Sequence, residues 1–424
     1  MCKIKVISIV LFLIFALSGV VSSQDKPAVV KIGAIYPLTG GSGETGKGMR
    51  QAVLLAEEII NNKYPDVSVP LAKTAGLPKL GGAKVKFIIA DSASKPEVAR
   101  AEAERLITEE KVVALFGCFN SAATAAASSV AERYKIPFYG GDSSSDKLVE
   151  RGYYWYFHSS PLDSTVNKVF LDFVDTVNNK LKANIKRIAV LYPNELFGET
   201  NAEILKWMIP KRNYEKAAFV QFTEGQPNFD AEILNIKQSN PDLLIEVAKI
   251  SDAIQITKTR ERFGLNVPLI GNGAAYTTVS FLEAVGDLAN NIFMKGLFPV
   301  QLTKTKEITA QINNLFRERY GQNLDDASSR AFTSANVLAF AINETGSTKP
   351  EAIRQTLLKL DIPGKALVLP WGGIKFDPKT QLNEKLGMAM FQIQNGKFEV
   401  VYPLEFATAK IGWIWGSKTK IDKR

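Results

Sequence analysis

Two short hydroxyl-rich segments contain the side chains that are best placed to bind a ligand. The serines 143–145 follow the apolar run 136–140, and Gly-Cys-Phe-Asn-Ser at 117–121 follows the apolar run 112–116. Each pattern predicts a buried strand, then a turn, then a helix, so hydroxyls and free backbone N–H groups collect at one edge of a sheet. Small ligands bind at that edge in open α/β sheets, and helix N-termini favour anions. The alternative is that these serines only cap helices.

Similar apolar, β-branched runs recur along the chain and alternate with helical patterns such as 96–110 and 253–263. The predicted strands are 29–36, 85–90, 112–116, 136–139, 188–192, 219–222, 243–248 and 268–270. This alternation indicates βαβ units and parallel sheets, and hence an α/β fold. It occurs twice, with a break near 158–161, which predicts two doubly wound lobes. The Pro- and Gly-rich stretch 61–83 predicts a surface excursion within the first lobe.

The first 23 residues are typical of a secretory signal peptide. Two lysines precede the apolar segment 6–21, and small residues follow, which predicts cleavage near Ser23 or Gln24. A retained membrane anchor is the alternative, but an apolar core of 16 residues is short for a span of about 20. We therefore expect a periplasmic or otherwise extracytoplasmic protein. Cleavage lowers the formal net charge from +9 to +7, because it removes two lysines and no acid.

Composition disfavours several function classes. The basic residues are spread along the chain without interleaved aromatic residues, which disfavours nucleic acid as a partner. His158 is the only histidine, and Cys118 would be the only cysteine after cleavage, so neither a disulfide nor a zinc site is expected. No Gly-x-Ser-x-Gly elbow accompanies His158, which favours a structural role for it. The glycines 41, 43 and 46 fit a dinucleotide fingerprint, but the acidic residue that should follow is missing. We expect no catalytic residue, no metal and no cofactor.

At the level of motifs, the chain resembles the leucine/isoleucine/valine-binding proteins, the periplasmic solute-binding proteins of ABC importers for branched-chain amino acids. The resemblance rests on Lys-Ile-Gly-Ala-Ile-Tyr-Pro-Leu-Thr-Gly at 31–40, on 117–124 with the turn 142–145, and on 187–192 with Phe-Gly at 197–198. Gly-Asn-Gly at 271–273 and Leu-Pro-Trp-Gly-Gly-Ile-Lys-Phe-Asp at 369–377 complete it.

Membership of that family implies a type I periplasmic binding protein, with two Rossmann-like lobes that close on a ligand by hinge rotation. The implied crossovers between lobes lie near 158–161, 297–300 and 369–372. The first lobe is then 29–158 plus 300–368. The second lobe is 159–298 plus 369–405, and 406–424 forms a C-terminal tail.

The resemblance also implies which residues bind the ligand. Hydroxyls and N–H groups after the third and fourth strands would hold its carboxylate and ammonium, an aromatic residue of the second lobe would close over it, and a threonine after the first strand would contact its side chain. For each position the alternative is a capping or core role. The expected ligand-binding residues are Thr45, Asn120, Ser121, Asp142, Ser143, Ser144, Phe197, Lys249 and Gly273.

Two of these positions depart from the family pattern. Relatives place a glutamate against the ligand's ammonium where this chain has Gly273, and a tyrosine or similar residue where it has Lys249. A buried ammonium needs a counter-charge. Either Asp142 supplies it or the ligand is not an ordinary α-amino acid. We expect Lys249 to supply a positive charge to the cleft, and the alternative is a solvated loop lysine paired with Glu246 or Asp252.

The resemblance predicts a solute-binding subunit of an ABC importer. We expect it to act as a monomer with a permease in the inner membrane and to bind a branched-chain amino acid or a related small carboxylate. A ligand-sensing module of a signalling receptor, which has the same fold, is the alternative function.

Overall fold

The computed structural model describes residues 27–298, 300–404 and 407–412. The predicted signal peptide 1–23 and most of the predicted tail 406–424 lie outside these ranges. Within the described ranges, none of the helices combines the length and the apolar character needed to cross a membrane.

Strands and helices alternate along most of the described chain. The strands are β1 (Val29–Tyr36), β2 (Lys84–Asp91), β3 (Leu115–Gly117), β4 (Phe138–Gly140), β5 (Tyr156–His158), β6 (Arg187–Pro193), β7 (Glu215–Phe222), β8 (Leu243–Val247), β9 (Leu269–Asn272), β10 (Phe293–Gly296), β11 (Asp361–Pro363), β12 (Gly373–Lys375), β13 (Ala389–Gln394) and β14 (Lys397–Tyr402). The α-helices are α1 (Gly43–Asn61), α2 (Pro96–Thr108), α3 (Ser121–Tyr134), α4 (Asp163–Leu181), α5 (Leu196–Lys211), α6 (Asp230–Gln238), α7 (Ile250–Arg262), α8 (Val279–Val285), α9 (Glu307–Tyr320), α10 (Asp326–Thr345) and α11 (Pro350–Lys359).

The first sheet has the strand order β2-β1-β3-β4-β5, and neighbouring strands pair in parallel. Side chains of α1, α9 and α10 pack on one face, and those of α2 and α3 pack on the other. A strand covered on both faces is mainly apolar, which explains why β1 is hydrophobic apart from Lys31, whose ammonium pairs with Glu110. In the register of the sheet, Ile35 lies opposite Gly117 and Gly140 lies opposite His158.

The second sheet has the order β14-β13-β10-β9-β8-β6-β7. Strands β6 to β10 run parallel, and the hairpin β13–β14 adds two antiparallel strands at one side. Helices α4 and α5 cover one face, and α6, α7 and α8 cover the other. Two parallel sheets, each covered by helices on both faces, confirm the predicted α/β architecture of two doubly wound lobes.

The chain changes sheets after β5, after β10 and before β13. After β10, Leu297 already packs in the core of the first lobe. The expected third crossover near 369–372 is wrong, because Leu369, Trp371 and Phe376 also pack in that core. The predicted second-lobe segment 369–405 therefore begins too early. Met388 contacts cores of both lobes, which places the change near that residue.

The stretch between α1 and β2 is also more closely packed than expected. Val67, Leu71, Leu77 and Leu80 are buried in the core of the first lobe. The surface excursion predicted from its prolines and glycines is therefore a loop that covers the outer end of that core.

Candidate functional site

One cavity lies between the lobes, and many of its lining residues follow the carboxyl ends of the parallel strands of both sheets. They include every residue that the sequence predicts as ligand-binding: Thr45, Asn120, Ser121, Asp142, Ser143, Ser144, Phe197, Lys249 and Gly273. Parallel strands bring the residues after their carboxyl ends to the same edge of a sheet, and here the two edges face each other. The cavity is also lined by residues that the sequence analysis did not identify: Ser42, Phe119, Ala248, Ile250, Ala274, Ala275, Lys295 and Arg330.

The amino end of α3 supplies the hydrogen-bond donors of the first lobe. Ser121 is the first residue of α3, and the side chain of the N-cap residue Asn120 does not cap the helix. Thr124 Oγ1 accepts a hydrogen bond from the Cys118 N–H at 3.0 Å and one from Ser143 Oγ at 2.8 Å, so it connects the two turns. The Ser121 hydroxyl has no hydrogen-bond partner within the described ranges. It is therefore free to bind a ligand that enters the cavity.

The carboxylate of Asp142 is fully buried. Its side chain is 0% exposed, Tyr36 donates a hydrogen bond to Oδ2 at 3.0 Å, and Arg330 Nη1 lies 3.9 Å from Oδ1. Burial raises the pKa of Asp142 to about 6, and the charge of Arg330 opposes that rise. The Asp142 side chain is thus held by Tyr36 and Arg330 of the first lobe, and the small exposed part of Asp142 is not its side chain.

Arg330 reaches this position from the first turns of α10. Asp326, four residues earlier, accepts a hydrogen bond from Arg330 Nε at 2.9 Å, and Arg330 Nη1 also donates to the Asp142 carbonyl oxygen. The spacing of Asp326 and Arg330 predicts an ion pair on a helix. It does not predict that the helix lies beside the turn after β4, since 188 residues separate Asp142 from Arg330.

Lys249 is a buried lysine with carboxylate partners. Its side chain is only 7% exposed, and Nζ lies 2.5 Å from Glu224 Oε2 and 3.9 Å from Glu195 Oε1. The alternative of a solvated lysine paired with Glu246 or Asp252 is wrong. Tyr276 donates a hydrogen bond to Glu246, and the Gly225 N–H donates one to Asp252.

Gly273 is required by the backbone at its position. Its φ is +148°, and a Cβ atom there would lie 2.3 Å from the carbonyl oxygen of Ala248. No other residue fits without movement of one strand end relative to the other. The local geometry therefore explains why this chain cannot place an acidic side chain there.

Lys295, at the end of β10, is the most informative residue that the sequence analysis missed. It is 7% exposed, and its Nζ lies 5.9 Å from the centre of the Phe197 ring, within the range of a cation–π contact. Burial lowers the pKa of Lys295, and the nearby charge of Asp163 opposes that change. A single lysine within the apolar segment 292–298 was a signal available in the sequence.

His158 and Cys118 do not line the cavity. Both are buried, and His158 Nδ1 lies 2.9 Å from the Tyr156 hydroxyl. Burial lowers the pKa of His158 to about 4, so its imidazole is neutral near pH 7. Burial also raises the pKa of the Cys118 thiol. Neither residue is placed to act as a general base or a nucleophile on a molecule in the cavity.

The lobes are closed around the cavity. The hydroxyl oxygens of Ser145 in the first lobe and Thr200 in the second are 2.6 Å apart, and Lys147 Nζ lies 3.2 Å from a carboxylate oxygen of Glu203. The cavity has a volume of about 40 Å³. One water molecule needs about 10–15 Å³. An organic ligand can therefore reach these residues only when the lobes separate.

The sequence and the fold both match known proteins. A family model described as "Periplasmic binding protein" matches residues 29–397 of the 424-residue chain. The chain belongs to this family. Periplasmic binding proteins are extracytoplasmic proteins that bind substrates for transport and are not enzymes as a class. The family that the motifs suggested and the type I periplasmic binding protein fold are confirmed.

Among curated relatives of this periplasmic binding protein, Leu/Ile/Val-binding protein homolog 7 of Brucella suis biovar 1 is 23% identical over 395 residues. The alignment covers 91% of this chain and 94% of the relative. Leu/Ile/Val-binding protein homolog 8 of Brucella abortus is 26% identical over 401 residues, with 91% of this chain and 93% of the relative covered.

Solved structures give the same result for the fold. The branched-chain amino acid transporter substrate-binding protein LivJ of Streptococcus pneumoniae, in complex with isoleucine, aligns with a TM-score of 0.74 and 21% identity over 88% of this chain and 99% of its own. A solute-binding protein of an ABC transporter from Rhodopseudomonas palustris BisB5, in complex with 3,4-dihydroxybenzoic acid, aligns with a TM-score of 0.73 and 18% identity. That alignment covers 88% of this chain and 95% of the other.

Proposed function

We propose that this chain is the extracytoplasmic solute-binding subunit of an ABC importer and that it holds one small carboxylate between its lobes without chemical change. The observation that carries this proposal is the arrangement of the cavity. Ser121 at the amino end of α3 and the serines of the turn after β4 face Phe197 of the second lobe. Hydroxyl and N–H donors on one wall and an aromatic ring on the other suit a small acid with an apolar body.

Four of the lining residues then have a defined part in binding. Ser121, Ser144 and the first-turn N–H groups of α3 hold the carboxylate, and Phe197 packs over the body of the ligand. Thr45, at the start of α1, contacts the far end of the ligand. The remaining predicted contacts are the turn residues Asn120, Asp142 and Ser143 and the second-lobe residues Lys249 and Gly273.

The similar proteins support this class of ligand. The LivJ structure contains isoleucine and the Rhodopseudomonas structure contains 3,4-dihydroxybenzoic acid, and both ligands are small carboxylic acids. Both proteins belong to transporters, which favours transport over sensing.

The partner would be an ABC permease, and the protein would act as a monomer outside the cytoplasm after cleavage of its signal peptide. The intact mass of the exported protein tests that cleavage.

The decisive experiment identifies what the protein holds. The mature protein is purified from its own host, its bound molecules are identified by native and denaturing mass spectrometry, and the stripped protein is titrated with them by calorimetry. We expect one small carboxylate per monomer, recovered unchanged after incubation. The absence of any bound small acid, or the conversion of the acid to a product, would contradict the proposal.

A variant pair tests whether the amino end of α3 binds that ligand. Ser121→Ala should weaken binding by about 1 to 3 kcal/mol, because a hydrogen bond to a charged group is lost, and the melting temperature of the ligand-free protein should hardly change. Ser129→Ala is the matched control, since its hydroxyl lies on the same helix and donates to the Ala125 carbonyl oxygen. Equal ligand affinities of the two variants would show that the Ser121 hydroxyl does not bind the ligand.

A further inference from the structure

Within the described residues, one positive charge in the cavity has no hydrogen-bond or ion-pair partner. The Lys295 ammonium has neither a hydrogen-bond acceptor nor a carboxylate within ion-pair distance in the described parts of the chain, although the residue is 7% exposed. A buried ammonium without a partner is costly, so such groups are usually paired or bind a ligand. Since Lys295 lines the cavity, a molecule bound there can reach it.

The other two cations of the cavity wall are already paired. Lys249 Nζ lies 2.5 Å from Glu224, and Arg330 Nε lies 2.9 Å from Asp326. Their positive charges are largely balanced before any ligand binds. The charge of Lys295 is affected by Asp163 only at a longer distance, and burial raises the pKa of Asp163 to about 7. Near pH 7 Asp163 is thus an incomplete counter-charge.

The described part of the cavity wall offers no accessible carboxylate. Asp142 is the only acidic residue among the described lining residues, and its side chain is 0% exposed and bonded to Tyr36. The backbone at Gly273 excludes an acidic side chain at that position. A ligand with an α-ammonium group would therefore lose its hydration without gaining a counter-charge, and Lys295 would repel it.

We propose that the ligand is a small organic acid without an ammonium group and that Lys295 binds a second oxygen acceptor on it. This inference rests on the proposed function, since it assumes that a carboxylate occupies the cavity. The ligand's first carboxylate binds at the amino end of α3 in the first lobe. Its oxo, hydroxyl or second carboxylate oxygen accepts a hydrogen bond from Lys295 in the second lobe. Lys295 thus determines specificity.

The test uses pairs of related acids: three pairs exchange an amino group for an oxo group, and the fourth adds two ring hydroxyls. Calorimetry on the stripped mature protein compares leucine with 4-methyl-2-oxopentanoate, phenylalanine with phenylpyruvate, glutamate with 2-oxoglutarate, and benzoate with 3,4-dihydroxybenzoate. We expect at least one oxo or dihydroxy acid to bind at least about 10-fold more tightly than its partner, since it gains a charge-assisted hydrogen bond and each oxo acid also avoids an unpaired ammonium.

Variants assign that preference to Lys295. Lys295→Met should weaken the preferred acid by about 10- to 100-fold and largely remove the discrimination within its pair. It should not lower the melting temperature of the ligand-free protein, because it removes an unpaired charge from the interior. Lys295→Gln provides a second test that keeps a donor without the charge. Lys306→Met is the control, because Lys306 is half-buried and donates to carbonyl oxygens of Gly364 and Leu369 away from the cavity.

The outcomes separate this inference from the proposed function. If leucine, phenylalanine or glutamate binds as tightly as its oxo partner, and Lys295→Met leaves that affinity unchanged, the solute-binding function stands and the inference is wrong. If none of these acids binds and no small carboxylate co-purifies with the protein, both are wrong. Both the solute-binding function and the role of Lys295 are supported if the protein prefers an ammonium-free acid, Lys306→Met keeps that preference, and Lys295→Met abolishes it.

Discussion

The ammonium of Lys249 lies 2.5 Å from a carboxylate oxygen of Glu224, and both side chains are more than half buried. Glu195 is also close, at 3.9 Å, and its carboxylate accepts hydrogen bonds from the backbone N–H groups of Phe197 and Gly198 at the start of α5. Lys249 therefore joins the loop after β7 to the amino end of α5. Lys249 thus stabilises the second lobe. The two carboxylates screen its positive charge from a ligand.

This arrangement predicts a loss of stability in Lys249→Met. Removal of the ammonium leaves the carboxylates of Glu195 and Glu224 close together in a poorly hydrated place. The free energy of unfolding should therefore fall by about 2 to 4 kcal/mol. The double variant Lys249→Met/Glu224→Gln should recover part of that loss. Urea unfolding of the two single variants and the double variant measures the coupling, and additive effects would show that the pair does not contribute.

The sequence predicted the strands of the parallel sheets well. Strands β1, β6 and β8 are largely buried and mainly apolar, although Lys31 lies in β1 and the buried Glu246 lies in β8. Strand β10 was missed because it has only four residues, two of which are Lys295 and Gly296. The hairpin β13–β14 has a turn signal in the sequence, the dipeptide Asn-Gly at 395–396. Asn395 and Gly396 both have positive φ, as an Asn-Gly hairpin turn requires.

The structure brings all nine predicted residues to one cavity, because the turns after parallel strands meet at one edge whatever their separation in the chain. The sequence could not predict their partners. Glu224 and Lys249 lie 25 residues apart, and Asp142 and Arg330 lie 188 apart. The two members of each pair lie on different elements, so no helical or strand period relates them. The direction of the Asp142 side chain depends on Tyr36 and α10, and only the packed structure determines it.

Gly273 gives a second stability prediction. Gly273→Ala places a Cβ atom 2.3 Å from the Ala248 carbonyl oxygen at a φ of +148°, so the ends of β8 and β9 must move apart. We expect a loss of about 2 to 4 kcal/mol in the free energy of unfolding. Gly225→Ala is the matched control, with a φ of +76° and no atom within 4 Å of the new Cβ, and should cost about 1 kcal/mol. Similar losses in both variants would mean that the close approach to Ala248 is unimportant.

The contacts between the lobes predict that ligand access requires opening. Because the Ser145 and Thr200 hydroxyl oxygens are 2.6 Å apart, the variant Ser145→Cys/Thr200→Cys should form a disulfide that holds the lobes together. The oxidised form should exchange ligand at least about 10-fold more slowly than the reduced form. Small-angle scattering should give the ligand-free wild type a larger radius of gyration than the oxidised variant. Equal radii and equal exchange rates would rule out hinge opening as the route of access.

Buried acids predict how stability depends on pH. Burial raises the pKa of Glu246 to about 7, although the charge of Arg260 and the hydrogen bond from Tyr276 oppose the rise. The folded protein therefore keeps a proton on Glu246 at pH values where the unfolded chain has released it. This contribution to stability is full below the ordinary glutamate pKa, falls as the pH rises toward 7 and is lost above it. Asp142 and Asp163, with pKa values raised to about 6 and about 7, act in the same direction.

Glu246→Gln isolates one of these groups. The amide is neutral at every pH and can still accept the Tyr276 hydrogen bond, so the variant should be more stable than the wild type at pH 8.5, by on the order of 1 to 3 kcal/mol. At pH 5 the difference should be much smaller, because Glu246 is protonated in the folded wild type. Urea midpoints at both pH values measure the change, with the exposed Glu283→Gln as control. A stability difference that is the same at pH 5 and pH 8.5 would mean that Glu246 does not titrate within this range.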